Sequence, residues 1–159
     1  MARHYSKISA SLGLEGAYSP LIEDIEEASE GLMKVIKKSN YKGEVKIILD
    51  MAANCLFQEG SYFLQGELLT KEELCNFYLK LCQKYPIFGI EDPFGEDDWE
   101  GWKKLSQELK SRDSGVLLIG DDLTATNIKR IARGVKEDCL GGVIVKPNQI
   151  GTVTETIEA

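Results

Sequence analysis

The sequence has little of what a nitrogen- or sulfur-ligated metal site requires. Its 159 residues contain a single histidine, His4, which lies close to the first residue and is expected to be solvated. The four cysteines (Cys55, Cys75, Cys82 and Cys139) form no C-x-x-C pair and no zinc-ligand spacing. Cys75 and Cys82 lie seven residues apart in a helical pattern, so we expect both to be small apolar side chains on one helix face.

Long apolar runs and basic clusters are also missing. No run approaches the ~20 apolar residues of a membrane-spanning helix, and residues 1–10 lack the apolar segment of a secretory signal. The sequence therefore predicts no membrane association and a cytoplasmic location, where thiols stay reduced. The net charge is −7, with scattered Lys and Arg. This balance argues against nucleic-acid binding, because little would neutralise the phosphates.

What the sequence does contain is an alternation of strand-like and helical segments. Continuous apolar runs predict strands at 45–50, between Pro86 and Pro93 with Glu91-Asp92 at the end, at 115–120 and at 141–145, as expected of strands that are buried on both faces. Helical patterns lie between them, and an alternation every ~25 to 40 residues is typical of a parallel α/β sheet. Segment 51–65 interrupts this order, and a small hairpin is one interpretation of it.

Helix start signals precede most of the helical segments. Capping preferences and a capping box predict helix starts at five places. These are Ser19-Pro20, Thr70 to Glu73 with an end before Pro86, Glu96 to Asp98, Thr124 or Thr126, and Thr152.

Charged residues stand where the predicted strands end. Asp50, Glu91, Asp121 and Lys146 each close or directly follow a strand, and Glu15 closes the first segment of the chain. Ligands of parallel α/β folds bind at the carboxyl ends of the strands. These side chains are therefore expected to share one rim.

Three carboxylates at one rim would repel each other strongly without a compensating cation. Carboxylate oxygens are hard ligands that suit Mg²⁺. Lys146, at the same level, could have its pKa lowered near a divalent cation and act as a general base. Each of these residues taken alone, and Glu15 especially, could equally be a solvated loop side chain. Their equivalent positions across the repeats favour a site.

Three motifs resemble the barrel domain of enolase, the glycolytic phosphopyruvate hydratase, in order and spacing. They are IEDPF at 90–94 followed by DDW at 97–99, GDDLT at 120–124 followed by TN at 126–127, and VKPNQIGT at 145–152. The resemblance extends from about Ile8 to Ala159. It implies an α/β fold in which 1–159 forms an incomplete enolase-type TIM barrel of about five parallel strand/helix repeats.

The resemblance also implies a function. It makes the chain a lyase that dehydrates 2-phosphoglycerate to phosphoenolpyruvate with Mg²⁺ as cofactor. Asp50, Glu91 and Asp121 would be the Mg²⁺ ligands, Lys146 the base that takes the C2 proton, and Glu15 the acid that helps the C3 hydroxyl to leave.

The sequence departs from the family at several points. LEGAY at 14–18 stands where the family has DEGGF, and MAANC at 51–55 where it has VAASE. The family's N-terminal capping domain, the end of the barrel, its second active-site lysine, its phosphate-binding Arg-Ser group and its histidines are expected to lie outside the 159 residues. An open barrel would leave exposed edges and an apolar interior. We therefore expect self-association or a complementing chain.

Two alternatives remain open beside the lyase. One is another member of the enolase superfamily, which the absence of a Lys-x-Lys motif in 45–50 disfavours. The other is a catalytically inactive enolase fragment that serves as a metal- or protein-binding module.

Overall fold

The computed structural model describes residues 11–12, 16–20, 22, 24–41 and 43–159. The chain divides into two compact units, 1–45 and 46–159. Within the described ranges, no helix is long and apolar enough to cross a bilayer.

The described residues of the unit 1–45 form a short antiparallel pair and one helix. Strands β1 (Ser11–Leu12) and β2 (Tyr18–Ser19) pair with each other, and helix α1 spans Ile25–Lys38. The prediction that α1 begins at Ser19-Pro20 was wrong, because Ser19 belongs to β2 and Asp24 is the N-cap. The Asp24 carboxylate accepts a 2.7 Å hydrogen bond from the Glu26 amide, which satisfies a free donor of the first turn.

The second unit is built on a parallel sheet of four strands. In order across the sheet these are β3 (Ile47–Asp50), β7 (Ile87–Glu91), β8 (Leu117–Gly120) and β9 (Gly142–Val143). All three pairings are parallel, which confirms the predicted α/β class. In the described part of the chain the sheet stays open rather than closing into a barrel, as expected of an incomplete one.

A small antiparallel sheet interrupts the alternation after β3. It follows a short 3-10 turn at Ala53–Leu56 and consists of β4 (Phe57–Gln58), β5 (Ser61–Leu64) and β6 (Glu67–Leu69). The hairpin interpretation of 51–65 was therefore correct in kind, and a third strand extends it.

The second unit contains five α-helices, of which the first three connect the parallel strands, and most helix starts follow the capping signals. They are α2 (Lys71–Lys84), α3 (Trp99–Ser111), α4 (Ile128–Lys136), α5 (Pro147–Ile150) and α6 (Val153–Glu158). The capping box of Thr70 and Glu73 is confirmed, and so is the Thr152 cap of α6. Asp98 caps α3.

The expected cap of α4 was wrong. Asn127 is the cap, accepting from the amides of Lys129 and Arg130. Thr124 and Thr126 are fully buried, and their hydroxyls bond elsewhere. The Thr124 hydroxyl donates to the carbonyl of Gly120 at 3.0 Å. The Thr126 hydroxyl accepts from the amide of Lys146 at 2.8 Å. Buried hydroxyls need partners inside the protein, which removes them from capping.

The core of the second unit lies between the sheet and helices α2 and α3. Its largest fully buried side chains include Trp102, Tyr62, Tyr78, Phe94 and Leu105. The ring of Phe94 packs edge-on against both tyrosines, with centroid distances of 5.6 and 5.9 Å. The two tyrosine hydroxyls also hold the loop after β7: Tyr78 donates to the carbonyl of Pro93 at 2.8 Å, and Tyr62 accepts from the amide of Gly95 at 3.0 Å. The core thereby fixes the loop that follows Glu91.

On the opposite face of the sheet, side chains of neighbouring strands contact each other, but some of them remain exposed to solvent. A Cβ on Gly89 would lie 2.9 Å from the Cδ1 of Ile119 and 3.6 Å from the Cγ1 of Ile48, so a larger residue here would require the Ile119 side chain to move. Ile48 is nevertheless 50% exposed. The four cysteines are free thiols, and Cys75 is buried in α2.

Candidate functional site

The carboxyl ends of β3, β7 and β8 place the predicted acidic residues side by side. Asp50 and Glu91 are the last residues of their strands and are directly paired in register. Glu91 pairs with Ile119 on the next strand, which brings Asp121 to the same edge. The shared rim was predicted from the positions of these residues along the chain, and the parallel register produces it.

Three carboxylates form a close acidic cluster at this edge of the sheet. One oxygen from each of Glu91, Asp92 and Asp121 lies within 4.8 Å of the others. Burial, together with the nearby charges of Asp50 and Asp121, raises the pKa of Glu91 to about 7. A group of this kind releases its proton more readily when a cation is close by.

The two carboxylate oxygens of Asp121 differ in their hydrogen bonding. Its Oδ2 accepts a hydrogen bond from the ammonium group of Lys146. Its Oδ1 is buried and has no hydrogen-bond partner. The residue as a whole is only 8% exposed. Buried polar atoms without partners are uncommon and costly. A divalent cation on Oδ1 would supply the missing interaction, so the residues present fit a hard cation such as Mg²⁺.

Lys146 is held in place from its backbone as well as from its side chain. Its amide donates a 2.8 Å hydrogen bond to the hydroxyl of buried Thr126. Lys146 also precedes Pro147, the first residue of α5. The proline and the threonine together fix where the lysine leaves the sheet.

Asp92 is the member of the cluster whose carboxylate faces backbone amides. Its Oδ1 accepts from the amides of Asp121 at 3.1 Å and Leu123 at 3.3 Å, and its Oδ2 accepts from the amide of Asp122 at 2.8 Å. The residue is 3% exposed. Burial raises the pKa of Asp92, and these amides act in the opposite direction.

Two further side chains join the loops of the rim. The amide group of Asn54 donates to the Asp122 carboxylate at 3.0 Å and accepts from the Glu96 amide at 2.8 Å. The guanidinium of Arg130 bonds to the Leu123 and Glu96 carbonyls and to the Asp97 carboxylate. The loops after β3, β7 and β8 are thus connected by hydrogen bonds between side chains and backbone.

The structure therefore places Asp50 beside Glu91 in the sheet and Glu91 close to Asp121, which pairs with Lys146. Among the described residues, the third member of the close carboxylate cluster is Asp92 rather than Asp50. Glu15 lies outside the described residues. Sequence reasoning gave no role to Asp92 or Asn54. The only sequence signal for Asp92 was its place as the second of two carboxylates before Pro93.

Comparison with known proteins identifies the family. The family model described as "Enolase, C-terminal TIM barrel domain" matches residues 1–159. The enolase of Natranaerobius thermophilus is 45% identical over 156 residues, which cover 96% of this chain and 36% of that protein. The enolase of Campylobacter lari is 42% identical over 149 residues, which cover 94% of this chain and 35% of that protein. The chain spans about a third of the length of these curated relatives. It belongs to the enolase family and corresponds to part of the family's C-terminal TIM barrel domain.

Proposed function

We propose that this chain carries the metal-binding rim and the base of an enolase-type lyase, which dehydrates 2-phosphoglycerate to phosphoenolpyruvate in cytoplasmic glycolysis. The observation that carries the proposal is the carboxylate of Asp121. One of its oxygens binds Lys146, and the other is buried without a partner beside Glu91. This arrangement lets a lysine and a cation share one carboxylate.

Asp50, Glu91 and Asp121 would hold Mg²⁺. When bound, the cation supplies positive charge that stabilises the carbanionic form of a carboxylate substrate, whose C2 proton is otherwise very weakly acidic. Asp50 is the exposed member of the three and lies beside Glu91 in the sheet. It would therefore complete the ligand set from the solvent side.

Lys146 would take the C2 proton. In its neutral form the amine nitrogen accepts that proton and becomes an ammonium, and the electron pair of the broken C–H bond forms the C2–C3 double bond. The C3 hydroxyl leaves as water after it receives a proton, and Glu15 would donate that proton, as the family resemblance implies. The Asp121 carboxylate beside Lys146 would stabilise the ammonium that forms when the amine takes the proton.

An inactive metal-binding module is the alternative. The observation that favours it is coverage, since the chain matches only 35 to 36% of the length of its enolase relatives. The substrate-phosphate group and the second active-site lysine of the family are expected outside these 159 residues. A chain that retains the acidic rim alone would bind a divalent cation without turnover.

One experiment separates the two functions. The purified chain is mixed with 2-phosphoglycerate and Mg²⁺, the absorbance of phosphoenolpyruvate is followed, and Mg²⁺ binding is measured by calorimetry on the same sample. Turnover that Lys146→Met abolishes supports the lyase. Mg²⁺ binding without turnover supports the binding module, and the absence of both rejects the proposed site.

We also propose that this chain pairs with further polypeptide, either a second copy or a complementing chain. Within the described part of 46–159, β3 and β9 are the two outer strands of the parallel sheet. Apolar side chains close to those strands are exposed, with Ile48 and Val145 each at 50%. Open parallel edges with apolar side chains favour association. Light scattering tests this: a dimer or larger species supports it, and a monomer with one cooperative melting transition contradicts it.

A further inference from the structure

We propose that Asp92 is a positioning residue of the cation site. Its buried carboxylate would hold the loop 121–123 in the one arrangement in which Asp121 presents its unpartnered oxygen to a divalent cation. The inference rests on the proposed metal site and assigns to Asp92 a role that differs from that of the neighbouring Glu91.

The Asp92 carboxylate lies in a cradle formed by three backbone amides. Three successive backbone N–H groups, those of Asp121, Asp122 and Leu123, point at one carboxylate at distances of 2.8 to 3.3 Å. Successive amides that converge in this way form an anion-binding concavity. Here the anion is a side chain of the same protein, at 3% exposure, so bonds to the charged group are strong and little solvent competes with them.

Asp92 also connects the ends of β3, β7 and β8, which carry the proposed ligands. Its backbone amide donates to the carbonyl of Ile119 on β8 at 3.0 Å. Its carbonyl accepts from the amide of Ala53, in the loop after Asp50, at 3.1 Å. Asp92 itself follows Glu91 directly. One residue thus fixes the loops that carry all three proposed ligands relative to each other.

The backbone conformation of Asp92 also suits this role. Asp92 has φ = +40°, a left-handed conformation that Asp and Asn adopt more readily than most residues. This conformation turns the side chain away from the direction that the strand would give it. A short carboxylate at this position satisfies both the backbone geometry and the amide cradle.

Asp92 also lies within 4.8 Å of Glu91 and Asp121 and could be taken for a metal ligand. Its hydrogen bonds argue against that role. Both of its oxygens already accept backbone amides, one of them two, whereas Oδ1 of Asp121 accepts none. The cation should therefore bind Asp121, with Asp92 acting through it.

The variant Asp92→Asn tests this directly, because it keeps the size and backbone preference of the residue. Whichever way the new amide is turned, its NH₂ group must face at least one backbone N–H of 121–123, so the cradle is broken. Asp113→Asn is the matched control. Asp113 also has a positive φ, +50°, and is exposed at the end of α3, so the control removes the same charge without touching the cradle.

The readout is Mn²⁺ binding to the metal-free chain, measured as the loss of the free Mn²⁺ signal in electron paramagnetic resonance, with circular dichroism to verify folding. Loss of a residue that orients metal ligands weakens binding by about 10- to 100-fold. We expect that loss for Asp92→Asn and an unchanged dissociation constant for Asp113→Asn. A folded Asp92→Asn that binds Mn²⁺ as the wild type does would overturn the inference. A wild type that binds no Mn²⁺ would instead reject the metal site itself.

Amide hydrogen exchange of the wild type gives a second, independent test that needs no variant. The amides of Asp121, Asp122 and Leu123 should be protected by more than about 100-fold relative to an unstructured peptide in the metal-free protein. Exchange of these three amides near the unstructured rate would show that the cradle does not form, and would overturn the inference even if Asp92→Asn failed to fold.

Discussion

Lys146 and Asp121 form an ion pair across neighbouring strand ends, and only one oxygen of the Asp121 carboxylate takes part in it. The lysine and a divalent cation would therefore bind the same carboxylate through different oxygens. Two positive charges held on one group repel each other even when both are bound. This relationship makes the behaviour of a lysine variant informative.

We predict that Lys146→Met binds Mn²⁺ more tightly than the wild type, by at least about threefold, because a competing positive charge is removed. Any turnover of 2-phosphoglycerate should be lost in the same variant. Lys129→Met is the control, since Lys129 is an exposed residue of α4 and its loss changes the net charge equally. Weaker Mn²⁺ binding by Lys146→Met would show that the lysine helps to build the cation site rather than competing for it.

Asn54 connects the loops after all three acidic strands, through Asp122 and the amide of Glu96. Asn54→Ala removes both hydrogen bonds, one of them to the partly buried and charged Asp122 carboxylate, which should lower the free energy of unfolding by about 1 to 3 kcal/mol. Urea unfolding followed by circular dichroism measures the change. The exposed Asn148 provides a control substitution, Asn148→Ala, for which we expect little change. Equal stabilities of the two variants would contradict the linking role of Asn54.

Gly101 lies where helix α3 packs on the core. A Cβ at this position would be 2.7 Å from the Cδ1 of Phe94 and 2.8 Å from its Cγ. Alanine improves helix propensity at most positions, but here it should destabilise the protein by about 1 to 3 kcal/mol because the ring must shift. Gln107→Ala on the exposed face of the same helix serves as the comparison. A Gly101→Ala protein with a melting temperature at or above that of the wild type would show that the ring adapts freely.

The capping box of α2 predicts a pH-dependent contribution to stability. Hydrogen bonds from the amide and hydroxyl of Thr70 lower the pKa of Glu73. A carboxyl whose pKa is lower in the folded state stabilises the fold above its unfolded pKa, and this contribution is lost as the pH falls through the folded pKa. Glu73→Gln should therefore lower the melting temperature at pH 7, and the difference from the wild type should disappear towards pH 3.

The control for this prediction is Glu72→Gln, which removes a carboxylate that bonds to Lys104 rather than to the cap. Its effect at pH 7 should be smaller than that of Glu73→Gln. A difference between wild type and Glu73→Gln that stays constant from pH 7 to pH 3 would contradict the role of the ionised carboxylate.

Much of the candidate site followed from local patterns in the sequence. Continuous apolar runs identify the strands, and their parallel arrangement forces Asp50, Glu91 and Asp121 to one edge. The expected burial on both faces holds only in part, because Ile48 on β3 is 50% exposed. The capping box at Thr70 was equally predictable, because Thr70 and Glu73 lie three residues apart and bond to each other.

The features that were missed depend on contacts between distant parts of the chain. Thr126 satisfied the rule for a helix cap, but the strand end at Lys146 uses its hydroxyl. The role of Asp92 requires a left-handed backbone and amides that lie about 30 positions further along the chain. Neither is visible in a short window of sequence, because both arise only when the strands are assembled.

The central claim is that the rim of the sheet binds one divalent cation through Asp50, Glu91 and Asp121. Calorimetric titration of Mg²⁺ into the metal-free chain tests it most directly, with Asp121→Asn and the exposed-site variant Asp113→Asn run beside the wild type. The account predicts a single Mg²⁺ site in the wild type and in Asp113→Asn, and its loss in Asp121→Asn. Equal Mg²⁺ binding by Asp121→Asn and the wild type, or no Mg²⁺ binding by any of the three, would contradict it.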